Sequence, residues 1–413
     1  MFQNYFMMRK IYLLALILIQ LEIFAQIVSV KNIKKDIAYL ASDDLKGRGT
    51  STAEEEKSAA YIANRFKESG LTPFNNSYLK PFSFKKNLNP HDTSTVGLIE
   101  RKGNNVVGFL DNKAPYTIVI GAHYDHLGLG HDHNSLDANP EGKIHNGADD
   151  NASGTSGVME LARYFATNKT TEPYNFLFIC FSGEELGLLG SKKWCENADV
   201  DLGKVNYMIN MDMIGRLNKE KSLMVYGVGT SPNWVPLIDS VNKDFKIKKD
   251  SSGIGPSDQT SFYLKDIPVL HFFTGQHSDY HKPSDDADKI NYKGEAKVLE
   301  YIVSLIERTY IYPKLAFTKT RNPESGKAAY KVTMGIMPDY TFEGEGMRID
   351  GVSEGKPAFK AGLAKDDIVK KLGDVQIKSV QDYMKALGNF KKGDTAKIEV
   401  MRGSQVKVLD VQF

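Results

Sequence analysis

Acidic residues and histidines recur at the ends of four apolar runs in this sequence. The runs and the polar residues that close them read YTIVIGAHYDH, NFLFICFSGEE, NYMINMDMIG and IPVLHFFTG, the last leading into HSDYHKPSDD. One such cluster is typical of a solvated loop or a helix cap. Four in succession indicate one shared site, because independent surface turns have no reason to follow every apolar run. The candidate residues, including two from the HNGADDNASG segment, are His123, Asp125, Asp149, Asp150, Glu184, Glu185, Asp212, His277, Asp279 and His281.

Imidazoles mixed with carboxylates favour zinc or a similar divalent ion over calcium or a thiolate-bound metal. Glu184 and Glu185 are adjacent, so they could form an ordinary charged loop or serve one site in two roles. Side chains of consecutive strand residues point to opposite faces, so both can reach one site only if the chain turns. Ser182 and Gly183 permit that turn. The pair itself does not distinguish a metal ligand from a proton carrier.

The elements that must position these residues alternate between strand and helix. Short, continuous apolar runs predict strands buried on both faces of a mostly parallel sheet. Apolar residues at helical spacing follow Gly154 and recur in residues 295–309, and Thr52 opens a further helix with capping-box spacing. We therefore predict an α/β fold: a mostly parallel, mixed sheet with helices on both faces. In such sheets functional groups gather outside the carboxyl ends of the strands.

Composition restricts the function classes. The 413 residues carry a formal charge of +2, with 41% hydrophobic and 25% charged residues. This balance indicates a globular protein and gives no argument for binding nucleic acid. Cys180 and Cys195 are the two cysteines, and we expect buried thiols rather than a bridge.

The first residues have the pattern of an export signal. Arg9 and Lys10 precede IYLLALILIQLEIFAQ, an apolar stretch that is short for a membrane-spanning helix. We predict a signal peptide over residues 1–25, with cleavage after Ala25 and no stable membrane insertion afterwards. An uncleaved anchor is the alternative. The predicted location is secreted or periplasmic.

Five segments, in order, resemble the metal-site segments of the co-catalytic di-zinc aminopeptidases, which include bacterial leucine aminopeptidases and related carboxypeptidases. They read GAHYDHLG, GADDNASG, FSGEELGLLGS, NMDMIG and YHKPSDD. The upstream stretch YLASDDLKGRGTSTAEEEKSAAYIANRF is similar to the family's N-terminal region, so the resemblance spans roughly residues 30–310. It implies two zinc ions per chain and hydrolysis of peptide bonds by a water held between them.

Site roles follow from the resemblance, position by position. It implies that His123 and Asp212 bind one zinc, that Glu185 and His281 bind the other, and that Asp150 bridges both. Glu184 is implied as the general base, and Asp125 as the residue that fixes the tautomer of His123. The Asp150–Asn151 peptide is expected to be cis.

Several nearby residues are expected to have structural roles. They are Asp149, Asp285 as a cap or brace for the loop of His281, and His126, His131, His133 and His145 in a loop at the rim of the site, preferred here to a third metal site. Asp258 is similar to a family position near the site, and a helix cap at Ser257 or Asp258 is the alternative.

The last eighty-odd residues form a separate unit. Residues 312–329 read as a linker, and short alternating runs with one helix near Val380–Leu387 then predict a small β-rich domain over 330–413. GMRIDGVSEGKPAFKAGLAKDDIVKKLGD resembles the PDZ domains of exported bacterial proteases, which bind a peptide as an added strand. Pro338 removes an N–H beside the loop expected to hold the peptide's carboxylate, so a structural or substrate-limiting role is the alternative. Truncation from about residue 325 is expected to leave hydrolysis of small substrates intact.

The predicted domains are thus a signal peptide (1–25), a di-zinc peptidase domain (26–311), a linker (312–329) and a PDZ-like domain (330–413). The predicted function is an exported exopeptidase acting on peptides, an aminopeptidase in the first instance. The alternatives are a carboxypeptidase or dipeptidase of the same family, a glutaminyl cyclase on the same scaffold, and a non-catalytic PDZ-containing binding protein. Nothing in the sequence identifies the preferred side chain, because the loops that form the specificity pocket carry no readable motif.

Overall fold

The computed structural model describes residues 28–86, 99–132, 134–197, 200–320, 332–338, 342, 344–352 and 355–413. The predicted signal peptide, His133 and residues 321–329 of the predicted linker lie outside these ranges. The helices of the described chain all fall short of the length or hydropathy that a membrane span requires.

A nine-stranded mixed sheet forms the centre of the larger domain. Its strands run in the order β1-β3-β5-β4-β6-β9-β7-β8, with β2 paired to β3. The neighbouring strands β5, β4, β6 and β9 are parallel, whereas β1, β2, β3 and β7 make antiparallel pairs. The bounds are β1 Thr72–Pro73, β2 Leu79–Lys86, β3 Ile99–Leu110, β4 Thr117–His123, β5 Asn175–Phe181, β6 Val205–Met211, β7 Ser222–Tyr226, β8 Lys246–Asp250 and β9 Val269–Phe273. The mixed sheet is as predicted.

Both faces of the central strands are covered, which explains their uninterrupted apolar sequences. Every residue of β4, β5 and β6 is buried. Along β5, Phe176, Phe178 and Cys180 belong to one hydrophobic cluster, whereas the alternating Leu177, Ile179 and Phe181 belong to another on the opposite face. The α/β prediction is confirmed.

Helices flank this sheet. The first cluster takes apolar faces from most of the helices, and the second is covered by the two helices that contain Trp194 and Phe262. The helix bounds are α1 Val30–Leu40, α2 Ala53–Glu68, α3 Gly154–Thr167, α4 Leu189–Glu196, α5 Trp234–Val241, α6 Gln259–Tyr263 and α7 Tyr292–Thr309. Thr52 caps α2 by accepting from the Glu55 N–H at 3.2 Å, as its spacing predicts.

The C-terminal domain is an antiparallel sheet with its own core. Its strands run in the order β10-β11-β12-β14-β15, with β13 paired to β12, so β10 is an edge strand. The core includes Met347, Ile349 and Val400. The bounds are β10 Ile336–Pro338, β11 Met347–Val352, α8 Pro357–Lys360, β12 Ile368–Leu372, β13 Val375–Gln376, α9 Val380–Leu387, β14 Thr395–Arg402 and β15 Gln405–Gln412. The predicted helix near Val380–Leu387 is confirmed as α9.

Two local expectations have clear outcomes. Cys180 and Cys195 are buried and unbridged, as expected. The described part of the predicted linker packs on the larger domain: Leu315 is buried, and its N–H donates to Asn206 Oδ1 at 2.8 Å. Residues 312–320 are therefore structurally part of that domain.

Candidate metal centre and active site

The carboxyl ends of the central strands meet at one cavity. His123 ends β4, Asp212 follows β6 directly, and the glutamate pair follows the turn after β5. The loop before α3 and the loop after β9 contribute the remaining groups. The cavity has a volume of about 210 Å³, and its polar lining consists mainly of His123, Asp150, Glu184, Glu185, Asp212 and His281.

The polar groups form two clusters that share Asp150. His123 Nε2 lies 3.3 Å from Asp150 Oδ1 and 3.4 Å from Asp212 Oδ1. His281 Nε2 lies 3.2 Å from Asp150 Oδ2 and 3.2 Å from Glu185 Oε2. Each oxygen of one carboxylate therefore faces a different histidine. The structure brings together the five residues that the sequence proposes as metal ligands.

Both histidines are oriented by main-chain carbonyls. His123 Nδ1 lies 3.1 Å from the carbonyl oxygen of Asp125, and His281 Nδ1 lies 2.9 Å from that of Asn134. Each Nδ1 must therefore carry the proton, so in the neutral ring Nε2 presents a lone pair to the carboxylates. These two electron-rich atoms lie 3.2–3.4 Å apart. A bound metal ion makes that arrangement favourable, and so does a second proton on each ring, since burial lowers the pKa of both histidines but the carboxylates outweigh it and raise the value.

The donor set fits zinc. Two ligands at ~2.0–2.1 Å from a tetrahedral zinc ion are roughly 3.3–3.4 Å apart, close to the separations measured here. Asp212 Oδ1 is buried and receives no hydrogen bond from the described part of the chain, as expected of an atom that serves a metal. His123, Asp150 and Asp212 are close enough to hold one ion together.

Electrostatics separate the two adjacent glutamates. Burial raises the pKa of Glu185, but the charge of His281 and a hydrogen bond from His126 outweigh it and lower the value to about 2. Burial raises the pKa of Glu184 well above its ordinary value; His123 opposes this shift, and the charges of Asp258 and Glu185 add to it. Opposite pKa shifts in a carboxylate pair are typical of one group that stays ionised and one that can carry a proton.

Glu184 reaches the site because the chain turns before it. Gly183 has a φ of +70°, a conformation that favours glycine. Glu184 Oε2 then lies 3.9 Å from His123 Nε2, at the cavity wall. The next helix begins at Leu189, directly after Leu188, which has a φ of +61°.

Asp125 contacts His123 through its main-chain carbonyl. Its carbonyl, rather than its carboxylate, is the close partner of His123, because the carboxylate Oδ1 lies 3.8 Å from Nδ1. The carboxylate instead accepts from the Glu184 N–H at 3.1 Å and from the Thr50 hydroxyl at 2.8 Å. Asp125 therefore orients His123 and the backbone of Glu184 together.

Hydrogen bonds from a distant segment hold the Asp150 loop in place. The Asp150–Asn151 peptide is cis, which confirms the expectation. Asp285 was expected to brace the loop of His281, but its Oδ2 accepts from the N–H groups of Asp149 and Asp150 at 2.9 and 3.0 Å. Asp149 is structural as expected, since its carboxylate accepts from the Gly215 N–H at 2.7 Å.

Asp258 does not act as a helix cap. It precedes α6, but its side chain makes no capping hydrogen bond. The carboxylate is instead buried near the site. Burial raises its pKa to about 7, with His123 opposing the shift and the charges of Asp125 and Asp212 adding to it.

The loop 126–145 does more than form a rim. His126 Nδ1 lies 2.7 Å from Glu185 Oε1, and His126 could join Asp150 and Glu185 around an ion. Gly147 makes room for this ring, because a Cβ there would lie 2.5 Å from it. The same loop holds His281, whose carbonyl accepts from the Leu136 N–H at 2.9 Å.

Arg48 was not singled out in the sequence, yet it is the fully buried centre of this region. Its guanidinium donates to the carbonyl of Tyr124 at 2.8 Å, to that of Asn146 at 2.7 Å and to that of Gly147 at 3.0 Å, and also to that of Leu40. It thereby joins the segments that carry His123 and Asp150.

These geometric findings agree with sequence comparison. Residues 105–306 match the profile described as "Peptidase family M28". The larger domain belongs to peptidase family M28. Residues 317–413 match the profile of the PDZ domain, so the M28 domain is followed by a PDZ domain. Zinc as the metal and a metallopeptidase scaffold are therefore consistent with both the family and the donor set.

Named relatives and solved structures extend the comparison. Leucine aminopeptidase 2 of Arthroderma otae is 30% identical over 186 residues, which cover 41% of this chain and 36% of that protein's length. BSAP, a zinc aminopeptidase from Bacillus subtilis, has a similar fold, with a TM-score of 0.54 and 17% identity over 71% of this chain and 97% of the other. Porphyromonas gingivalis glutaminyl cyclase also matches, with a TM-score of 0.54 and 16% identity over 69% and 100%.

Proposed function

We propose that this protein is an exported, di-zinc aminopeptidase that releases N-terminal residues from peptides. One observation carries the proposal: the two oxygens of Asp150 belong to two different clusters. Each cluster also contains an imidazole and a second carboxylate, and Glu184 lies beside them. One cluster would be His123, Asp150 and Asp212, and the other Asp150, Glu185 and His281. Each leaves a position for water or substrate, as catalytic zinc requires.

The chemistry divides between the ions and the chain. When bound, two zinc ions would polarise the scissile carbonyl and acidify the attacking water. Glu184 takes the proton of that water and returns it to the leaving amine, for which its raised pKa is suited. Asp125 holds the Glu184 backbone in place through its carboxylate.

The cavity supports removal of single residues. Its volume of about 210 Å³ is below the ~300–1,000 Å³ of sites that take larger ligands. Much of the wall beyond the metal ligands is apolar or aromatic, including Leu136, Met213 and Phe273. One apolar side chain fits such a space, with the scissile bond at the ligands.

One peptide set tests the proposal. A short leucyl peptide is offered with free ends, with an N-acetyl group or with a C-terminal amide, and products are followed by mass spectrometry. We expect N-acetylation to abolish cleavage and amidation to leave it unchanged, because the free amine is the anchored end. The reverse pattern would indicate a carboxypeptidase, and Glu184→Gln is the matched inactive control.

Glutaminyl cyclase is the second candidate, since a cyclase shares the fold. A glutaminyl peptide added to the same set decides between them. Loss of ammonia with formation of pyroglutamate, and no peptide cleavage, would favour the cyclase. The presence of both imidazole–carboxylate clusters favours hydrolysis.

Export is proposed from the N-terminal pattern. Mass spectrometry of the protein recovered from a cell-envelope and medium fractionation should find a chain that begins at Gln26. An intact N-terminus in the membrane fraction would support the anchor instead.

A further inference from the structure

Residues of both domains line the cavity at the proposed metal ligands. Ile336 and Pro338, the first and last residues of β10 in the PDZ domain, line the same cavity as His123 and Glu184. Pro338 is buried and Ile336 is half-buried. Because β10 is an edge strand, its contact with the M28 domain does not disturb the pairing of the PDZ sheet.

The PDZ domain also approaches the loop that positions His281. Lys356 lines a second cavity together with Asp137 and Glu141, and Asp137 is itself paired with Lys143 at 2.6 Å. Leu136, next to Asp137, lines the first cavity together with Ile336 and Pro338. Residues of the PDZ domain therefore share two cavities with residues 135–141 of loop 126–145.

We propose that β10 of the PDZ domain is one wall of the pocket for the substrate's N-terminal side chain, and that Ile336 and Pro338 select apolar side chains there. This inference rests on the proposed peptidase function. Leu136, Met213 and Phe273 add apolar surface to the other walls, although Gln276 and His271 also line the cavity. Against the wall formed by Ile336 and Pro338, a charged side chain would lose its hydration without gaining an opposite charge.

The proposal changes what the PDZ domain is expected to do. In a PDZ domain a peptide ligand adds as a strand beside an edge strand, and here the edge strand β10 already lies at the catalytic cavity. Small-substrate hydrolysis should therefore depend on the domain, contrary to the expectation from the sequence. The dependence should be selective for the substrate's first side chain rather than uniform.

A positive charge introduced at Ile336 tests whether this residue forms a wall of the pocket, because it should change the preferred substrate side chain. Ile336→Lys is compared with wild type and with Val408→Lys, a matched control at a PDZ residue that is 56% exposed. The kcat/KM values are measured for leucyl and glutamyl chromogenic substrates. We expect Ile336→Lys to shift the leucyl-to-glutamyl ratio at least tenfold towards glutamyl, within the range of pocket contacts, and Val408→Lys to leave it unchanged. A ratio within twofold of wild type overturns the proposal.

A milder variant and a binding measurement separate failure of the pocket proposal from failure of the proposed function. Ile336→Ala, a milder variant, should lower the leucyl kcat/KM about tenfold while zinc content and thermal unfolding stay at wild-type values. Calorimetric dissociation constants of leucinamide and glutamic acid α-amide for the zinc-loaded chain, with and without Ile336→Lys, do not require turnover. An absence of hydrolysis by wild type would reject the proposed function alone, whereas an unchanged affinity ratio would reject the wall.

Discussion

Replacement of Arg48 by lysine tests how the two ligand-bearing segments are held together. Arg48 is fully buried and donates to the carbonyls of Leu40, Tyr124, Asn146 and Gly147. Burial lowers its pKa to about 10, although the charges of nearby carboxylates oppose the shift. It therefore remains a cation at neutral pH.

The expected loss follows from the number of carbonyls. A lysine ammonium presents its donors from one nitrogen, whereas the guanidinium reaches these carbonyls from three. With three N–H groups for four carbonyls, at least one carbonyl loses its donor. We expect a second loss, because three donors on one nitrogen do not reach all the positions of Nε and both Nη atoms. Each buried group left unpaired costs about 1–3 kcal/mol, so Arg48→Lys should lower the free energy of unfolding by about 2–6 kcal/mol. That is a large part of the ~5–15 kcal/mol typical of a folded domain.

Denaturant unfolding of the zinc-free protein, followed by circular dichroism, measures this loss. Competition with a chelator measures zinc affinity, which should also fall because His123 and Asp150 lose a shared anchor. Arg308→Lys is the control, since Arg308 is exposed on α7 and the change there should stay within about 0.5 kcal/mol. An Arg48→Lys protein with wild-type stability and zinc affinity would refute the reasoning.

Further predictions concern the ligands and a buried carboxylate. In metal analysis, Glu185→Ala and His281→Ala should each bind one zinc per chain. His126→Ala should retain two, because His126 contacts Glu185 but lies 4.0 Å from Asp150. Loss of an ion in His126→Ala would show that His126 is a ligand. Burial raises the pKa of Glu55 to about 8, with the charge of Asp125 adding. Because the folded protein then binds a proton that the unfolded chain releases, stability falls as pH rises between about 4.5 and 8. Glu55→Gln should remove on the order of 4 kcal/mol of this dependence between pH 5 and 8, as measured by denaturant titration at both values. A pH dependence equal to that of wild type would contradict the shift.

The strands and the clustering of the candidate residues could be predicted because their signals are local, whereas the five-ligand set came from the resemblance. Burial on both faces requires continuous apolar sequences such as Phe176–Phe181, and the sheet then directs each strand end to one edge. The groups that follow those ends meet for the same reason. The roles of Glu184 and Glu185 came from the resemblance, because the pair alone does not distinguish them. The turn at Gly183 and the opposite pKa shifts are the physical features that separate them in the fold.

The missed contributions all depend on contacts between distant segments. Arg48 binds carbonyls 76 to 99 residues away as well as the nearby Leu40, and a buried arginine has no periodicity to reveal it. Asp285 supports Asp149 and Asp150 from 135 residues further along the chain. Ile336 lies in another domain, so only the folded arrangement places it at the cavity.

The most direct test of the central claim combines metal analysis with turnover in Glu184→Gln. The proposed division of labour predicts two zinc ions per chain, as in wild type, because Glu184 is not a ligand. It also predicts loss of nearly all hydrolysis of a leucyl peptide, because the proton carrier is gone. A variant that keeps substantial hydrolysis, or that loses an ion, would contradict the account.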